Sequence, residues 1–164
     1  MPPKTSTPLL ISTLPMMNNE ELRRPSAAVR LLESTYTALP IDPTFFIRKI
    51  GFKVKKDPSL KAVRLEARLD ADKKEIQFDP DLSDAQRRIQ TARELGRWYA
   101  KQLPEELSAG AVETYAAAFA SELLMPEKAF RKAWFDGQTV EEMAGQFAVT
   151  VQAVDYRLHQ IGIL

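Results

Sequence analysis

Apolar positions along this chain recur on two different periods, and the switches between them mark the elements. After Pro25, the residues Ala28, Val29, Leu32 and Tyr36 return near helical spacing, with Ser26 placed to cap the helix and Pro40 to stop it. Asp42 and Pro43 restart a helix as N-cap and first-turn residue; Phe46, Ile47 and Ile50 form its apolar side, and Gly51 suits its C-terminal cap. The period then drops to two. Phe52 to Lys55 alternates as a short strand. Val63, Leu65, Ala67 and Leu69 alternate with Arg64, Glu66 and Arg68, which predicts a half-buried strand over 63–69. Asp70 to Lys74 is a polar turn, and Ile76 and Phe78 alternate with Gln77 and Asp79, so the pair reads as an antiparallel hairpin.

Helical spacing then returns and holds to the end. A central helix over about 83–103, capped by Ser83 or Asp81, turns Ile89, Ala92, Leu95, Gly96, Tyr99 and Leu103 inward. Gly96 in mid-helix costs about 1 kcal/mol relative to Ala, which implies close passage of another backbone. A connection over 104–110 leads to a second helix that stops at Met125-Pro126 and carries the small run Ala116-Ala117-Ala118 before Phe119 and Ala120. A third follows from Glu127 to Phe135, with Phe130 and Trp134 inward. Thr139 and Glu142 form a capping box, Ala148-Val149 a turn, and Thr150 caps a last helix, a helix-turn-helix pattern. The fold class predicted is α+β, helix-rich with a short antiparallel sheet.

Composition changes this picture in three ways. A chain of 164 residues with 45% hydrophobic content supports one domain with a real core. A net charge of +1 gives no global pull toward nucleic acid or an anionic membrane. The chain has no Cys and a single His, His159, so a His₂Glu or thiolate zinc site cannot be assembled from it. No apolar run approaches the ~20 residues of a membrane span, and the N-terminus lacks a signal-peptide layout. The expected location is cytoplasmic. The expected division is a flexible leader over 1–25, a domain over 26–138, and a helical segment over 139–164 packed on it. From Thr139 to Leu164 the acids Glu141, Glu142 and Asp155 face one Lys or Arg, Arg157, which is poor supply for phosphate neutralisation.

The candidate chemistry sits on the central helix. Arg93-Glu94-Leu95-Gly96-Arg97 has the spacing of HExxH, in which two His at i and i+4 bind zinc and the Glu is general base, with an arginine at each histidine position. Guanidinium has only donors and stays protonated, so it offers no lone pair to a metal. Downstream, Glu113 opens a helix that contains Phe119-Ala120 and ends in Glu122-Leu123-Leu124-Met125-Pro126. Together the two stretches resemble the ImmA/IrrE family of bacterial metallopeptidases over about 26–164. The resemblance implies a small zincin-like domain in which Glu113 matches the third zinc ligand.

Because both histidine positions are replaced, the resemblance implies a degenerate site, Arg93, Glu94, Arg97 and Glu113, with no catalytic residue set intact, no metal and no cofactor. An arginine facing that cleft needs a carboxylate, and Arg97 with Glu113 is the expected pair. The strand Val63, Arg64, Leu65, Glu66, Ala67, Arg68 and Leu69, with the arginine face and the 104–110 connection, is the expected groove for an extended partner. The function implied is a pseudo-peptidase that binds protein, with a transcriptional repressor of a phage, mobile-element or stress circuit as the implied partner class. Neither nucleic acid nor membrane is an expected partner. Two alternatives stay open. One is residual hydrolase activity by Glu94 and Glu113, against which the nearby arginines should keep both carboxyls ionised. The other is a DNA-binding regulator working through the C-terminal helices.

Overall fold

A computed structural model describes residues 24–35 and 38–164. The leader expected over 1–25 lies outside the described residues, apart from Arg24 and Pro25, as does Tyr36 of the first apolar stripe. Among the described residues run seven α-helices, one short 3-10 helix and three strands.

Helix α1 spans Ser26–Glu33, and its N-cap is Pro25, not Ser26. The Pro25 carbonyl already accepts from the N–H groups of Ala28 and Val29, which leaves Ser26 as the first helical residue. Helix α2 spans Pro43–Lys49; the Asp42 side chain accepts from the Thr44 N–H, and Gly51 follows the helix at φ 81°. Strand β1 is Lys53–Lys56, β2 is Ala67–Asp70 and β3 is Glu75–Phe78, in spatial order β1-β3-β2. The predicted hairpin is present, since β2 pairs antiparallel with β3. The sheet as a whole is mixed, because β1 pairs parallel with β3. The chain reverses once between β1 and β2 and again at the hairpin, which returns β3 to the direction of β1.

The strand predicted over 63–69 begins only at Ala67. Asp57 caps a 3-10 helix over Pro58–Lys61, accepting from the Ser59 N–H at 3.0 Å and the Ser59 hydroxyl at 2.6 Å. The N–H groups of Val63 and Leu65 then both turn back to the Leu60 carbonyl, and Arg64 takes a left-handed φ of 55°. Leu60 fills the core at this point, while Val63 and Leu65 stay exposed. Their apolar alternation belongs to a turn.

Helix α3 (Asp84–Ala100) starts at a Ser83–Gln86 capping box and ends three residues before Leu103. Helix α4 (Ala109–Leu124) is capped by Ser108 and packs along α3 in the most extensive contact between elements. Gly96 makes that contact possible. A Cβ there would lie 2.9 Å from Ala116 Cα and 3.1 Å from the Ala116 carbonyl oxygen. The backbone of α4 cannot yield as a side-chain tip can. Gly96→Ala should therefore lose stability by about 1–3 kcal/mol through overpacking, despite the ~1 kcal/mol gained in helix propensity. Urea titration of the variant against the parent measures it; a more stable variant would refute the close-packing account.

Helices α5 (Glu127–Phe135), α6 (Val140–Phe147) and α7 (Val151–Gln160) complete the chain. The Thr139–Glu142 capping box forms, Ala148 takes φ 52° at the turn, and Thr150 caps α7. Phe130 is buried while Trp134 is only half-buried. Met143, Phe147, Val154 and Leu158 join Leu95, Phe119 and Leu123 in one apolar cluster, so the last two helices close the same core that seats α3 on α4.

Candidate functional site

Residues 93, 94 and 97 lie within little more than one turn of α3, and Glu113 lies in the first turns of α4. Because Gly96 lets the two helices touch, Arg97 can reach across. Its Nε donates to Glu113 Oε1 at 2.8 Å and its Nη2 to Glu113 Oε2 at 2.7 Å, a bidentate fork. Its Nη1 donates to Glu94 Oε1. One guanidinium thus bridges both carboxylates. Glu94 also accepts the backbone N–H of Leu69, which ties the helix to the outer side of β2. The side chain of Glu94 is 5% exposed and that of Glu113 is 51% exposed, so the buried member of the trio is Glu94. Arg93 stands apart: its Nη2 is 3.7 Å from Glu113 Oε2, and its Nε is buried with no hydrogen-bond partner.

A cleft of about 330 Å³ opens over this cluster, walled by Leu65, Ala67, Arg68 and Leu69 on one side and by Glu94, Arg97, Trp98, Lys101 and Glu113 on the other. Of the groove residues expected from sequence, Val63, Arg64 and Glu66 do not line it; Val63 and Arg64 belong to the turn before β2. The 104–110 connection does not line it either; Lys101, just past the end of α3, stands there instead. Arg93 is absent from its walls as well. Among the described residues, strand β2 is an edge of the sheet, with β3 on one side and no strand on the other.

The family model described as the IrrE N-terminal-like domain, of the peptidase M78 group, matches residues 48–159, more than half of the chain. The chain belongs to the IrrE N-terminal-like domain family. No curated protein matches it. Among solved structures it is similar to one titled Mycobacterium tuberculosis transcriptional regulator, at 24% identity and a TM-score of 0.66, covering 84% of this chain and 46% of that one. This likeness shows the fold, and the chain spans about half the length of that protein.

The zinc that the family resemblance implies does not fit this IrrE-like site. The two helix positions that would face the metal hold guanidinium groups, and both oxygens of Glu113 are held by Arg97. Among the described residues, no cluster of His, Asp and Glu is placed to hold a metal. His159 lies on α7, with its Nδ1 2.9 Å from the Asp155 carbonyl oxygen.

The two carboxyls of this IrrE-like cluster are pushed in opposite directions. The Arg97 hydrogen bonds hold Glu113 below the ordinary glutamate value, against a smaller effect of burial. Burial pushes Glu94 upward, Arg97 opposing and the Glu113 charge adding. The two arginines thus hold the Glu113 carboxyl down, while at Glu94 the loss of water outweighs the opposing cation. Glu113 contributes stability that is complete above the ordinary glutamate pKa and is lost as pH falls through its lowered folded value. Glu94 binds its proton more tightly folded than unfolded, so it contributes stability as pH falls through its raised value. Glu113 is half exposed, so Glu113→Gln should cost only about 0.2–1 kcal/mol at neutral pH. That difference should vanish in acid, below the lowered pKa. Denaturant titrations at several pH values check this; a cost that grows on acidification would contradict the assignment.

A second ion pair escaped sequence reasoning. Arg157 on α7 is fully buried and donates from Nη2 to Glu122 Oε2 at 2.6 Å and from Nε to the Met125 carbonyl at 3.1 Å. Glu122 is itself 2% exposed, with Arg24 Nε 3.5 Å from its other oxygen. A signal was present. Arg157 is the one Lys or Arg after residue 138, and it sits at helical spacing with the apolar Val154, Leu158 and Ile161.

Proposed function

We propose that this chain is a pseudo-peptidase, which grips an extended protein segment in the cleft between β2 and α3 and leaves it uncut. The observation that carries the reading is Arg97. It occupies a metal-ligand position with a group that has no lone pair and bridges Glu94 and Glu113. Strand β2, an edge among the described residues, supports backbone pairing, and such pairing is independent of a metal. The partner class is a transcriptional repressor of a phage, mobile-element or stress circuit. The family membership and the transcriptional regulator of similar fold support a regulatory setting.

Strand alternation supports one contact in particular. The Leu69 N–H points outward to Glu94, so the Ala67 N–H, two residues earlier, faces the same side. Ala67→Pro removes that donor at a place where an edge strand tolerates proline. Titration of peptides from candidate repressors should give saturable binding that Ala67→Pro weakens by about tenfold, the worth of roughly one hydrogen bond to an extended chain. Mass spectrometry should recover the peptide whole, with or without added zinc. Full affinity in the Ala67→Pro variant, or a cleaved peptide, would sink the reading.

One observation favours residual hydrolysis as a second reading: the opposite displacement of the Glu94 and Glu113 carboxyls, the pattern of an acid and base pair. Glu94, however, has its donors already in place, Arg97 and the Leu69 N–H. The recovery experiment decides between the two. For DNA recognition the count worsens, because the one Lys or Arg of 139–164, Arg157, is buried against Glu122.

A further inference from the structure

We propose that Arg93 anchors a small apolar monocarboxylate in a second cavity, between α3, α4 and α7. This goes beyond the protein-binding cleft, with which the cavity shares no lining residue. Its volume is about 220 Å³. Ile89, Leu124 and Ala153 are among its apolar walls, and Tyr156, exposed at 42%, is part of its lining on α7.

Two polar groups in these walls are unanswered. Arg93 Nε and Ser121 Oγ are both buried and both lack a hydrogen-bond partner. Such atoms are rare in a folded chain, and two in one cavity call for an explanation. Glu113 does not supply it. Its two oxygens are committed to Arg97, and Arg93 Nη2 stays 3.7 Å away, beyond hydrogen-bond reach. Neither atom is reached by solvent in the present side-chain positions, so both side chains must rotate to meet a ligand.

One acceptor-rich group would answer both. A carboxylate takes Nε and an Nη of one guanidinium together, with a hydroxyl donating to a remaining lone pair. The Arg93 side chain is 31% exposed, so its fork has room to turn onto an incoming anion, and Ser121 needs only a change of rotamer. The walls select against phosphate, whose oxygens outnumber the donors offered here. They favour an apolar body. The pocket is open on one side and, at about 220 Å³, has room for a ring or short alkyl chain with its carboxylate.

Isothermal titration of the full chain with sodium benzoate tests the assignment, with benzyl alcohol and inorganic phosphate as comparison probes. Benzoate should bind one site with a Kd of about 1 mM or tighter, and both comparison probes at least about tenfold more weakly. Arg93→Gln should weaken benzoate about tenfold or more, and Ser121→Ala by a few-fold. Ala153→Leu, which fills the cavity and leaves both polar groups in place, should abolish it; circular dichroism confirms that each variant is folded. No benzoate binding at about 10 mM, equal binding of benzyl alcohol or phosphate, or undiminished binding by folded Arg93→Gln or Ala153→Leu would overturn the proposal.

Discussion

Glu122→Gln should cost about 3–5 kcal/mol of folding stability, because it leaves the Arg157 guanidinium buried without its counter-charge. For a chain of this length that corresponds to a melting point lowered by roughly 6–20 °C, at about 2–4 °C per kcal/mol. No solvent discount applies, since Arg157 is fully buried and Glu122 is 2% exposed. Burial pulls the Arg157 pKa down while Glu122, and to a smaller degree Glu127, push it back, so loss of the Glu122 carboxylate removes the larger opposing force. The complementary variant separates the pair from its surroundings. Glu122→Leu combined with Arg157→Leu removes both charges, and such replacement of a buried pair is often neutral or better. Recovery should be incomplete here, because the Met125 carbonyl loses its Arg157 donor. Thermal melts of the three proteins check the ordering. A Glu122→Gln melt within about 2 °C of the parent would mean that water reaches Arg157.

This pair also explains what the helix-turn-helix pattern is for. Arg157 reaches from α7 to the C-terminal turn of α4 and to Met125 just beyond it, so the last helix is fastened to the end of the helix that carries Glu113. The segment is core closure with one buried cation. In sequence Arg157 reads only as the segment's one Lys or Arg, because an arginine carries no mark of its burial until the helix across from it is placed.

The elements with one dominant local signal were legible. The capping boxes at Ser83 and Thr139 and the Asp42-Pro43 start each satisfy their own backbone within a few residues, and Pro126 breaks a helix by its fixed geometry, so sequence neighbours suffice to predict them. Gly96 was legible because a helix interior tolerates glycine only for a reason, and Ala116 is that reason. The strand over 63–69 was misread because its alternation competes with a turn set by Asp57 and Leu60, and burial of Leu60 decides the contest. The link between Arg97 and Glu113 followed from the family resemblance, which sets the two positions across one cleft, plus the charge requirement there. That Arg93 would turn instead toward a different cavity did not, since i and i+4 residues share a face but side chains this long choose their own direction.

The same geometry supports a gain of function. Arg93→His combined with Arg97→His places two imidazoles at i and i+4 on α3 and frees both oxygens of Glu113, a His₂Glu donor set with one open position. Without metal this variant should be less stable than the parent, because buried Glu94 loses the guanidinium that Arg97 gave it. Zinc should reverse the deficit. At about a hundredfold excess over its Kd the gain is roughly 2.7 kcal/mol, or about 5–11 °C of melting temperature, while the parent stays unmoved. Adding Glu113→Gln should remove the zinc response, and adding His159→Ala should leave it intact, since His159 lies on α7 and bonds within its own helix. Melting curves with zinc and with a chelator give the answer. Equal zinc responses in parent and double variant, or none in either, would mean that positions 93, 97 and 113 do not converge as a ligand set. The account of Arg97 as the replacement for a metal would then fall, while its hydrogen bonds to Glu94 and Glu113 would remain as a structural clamp.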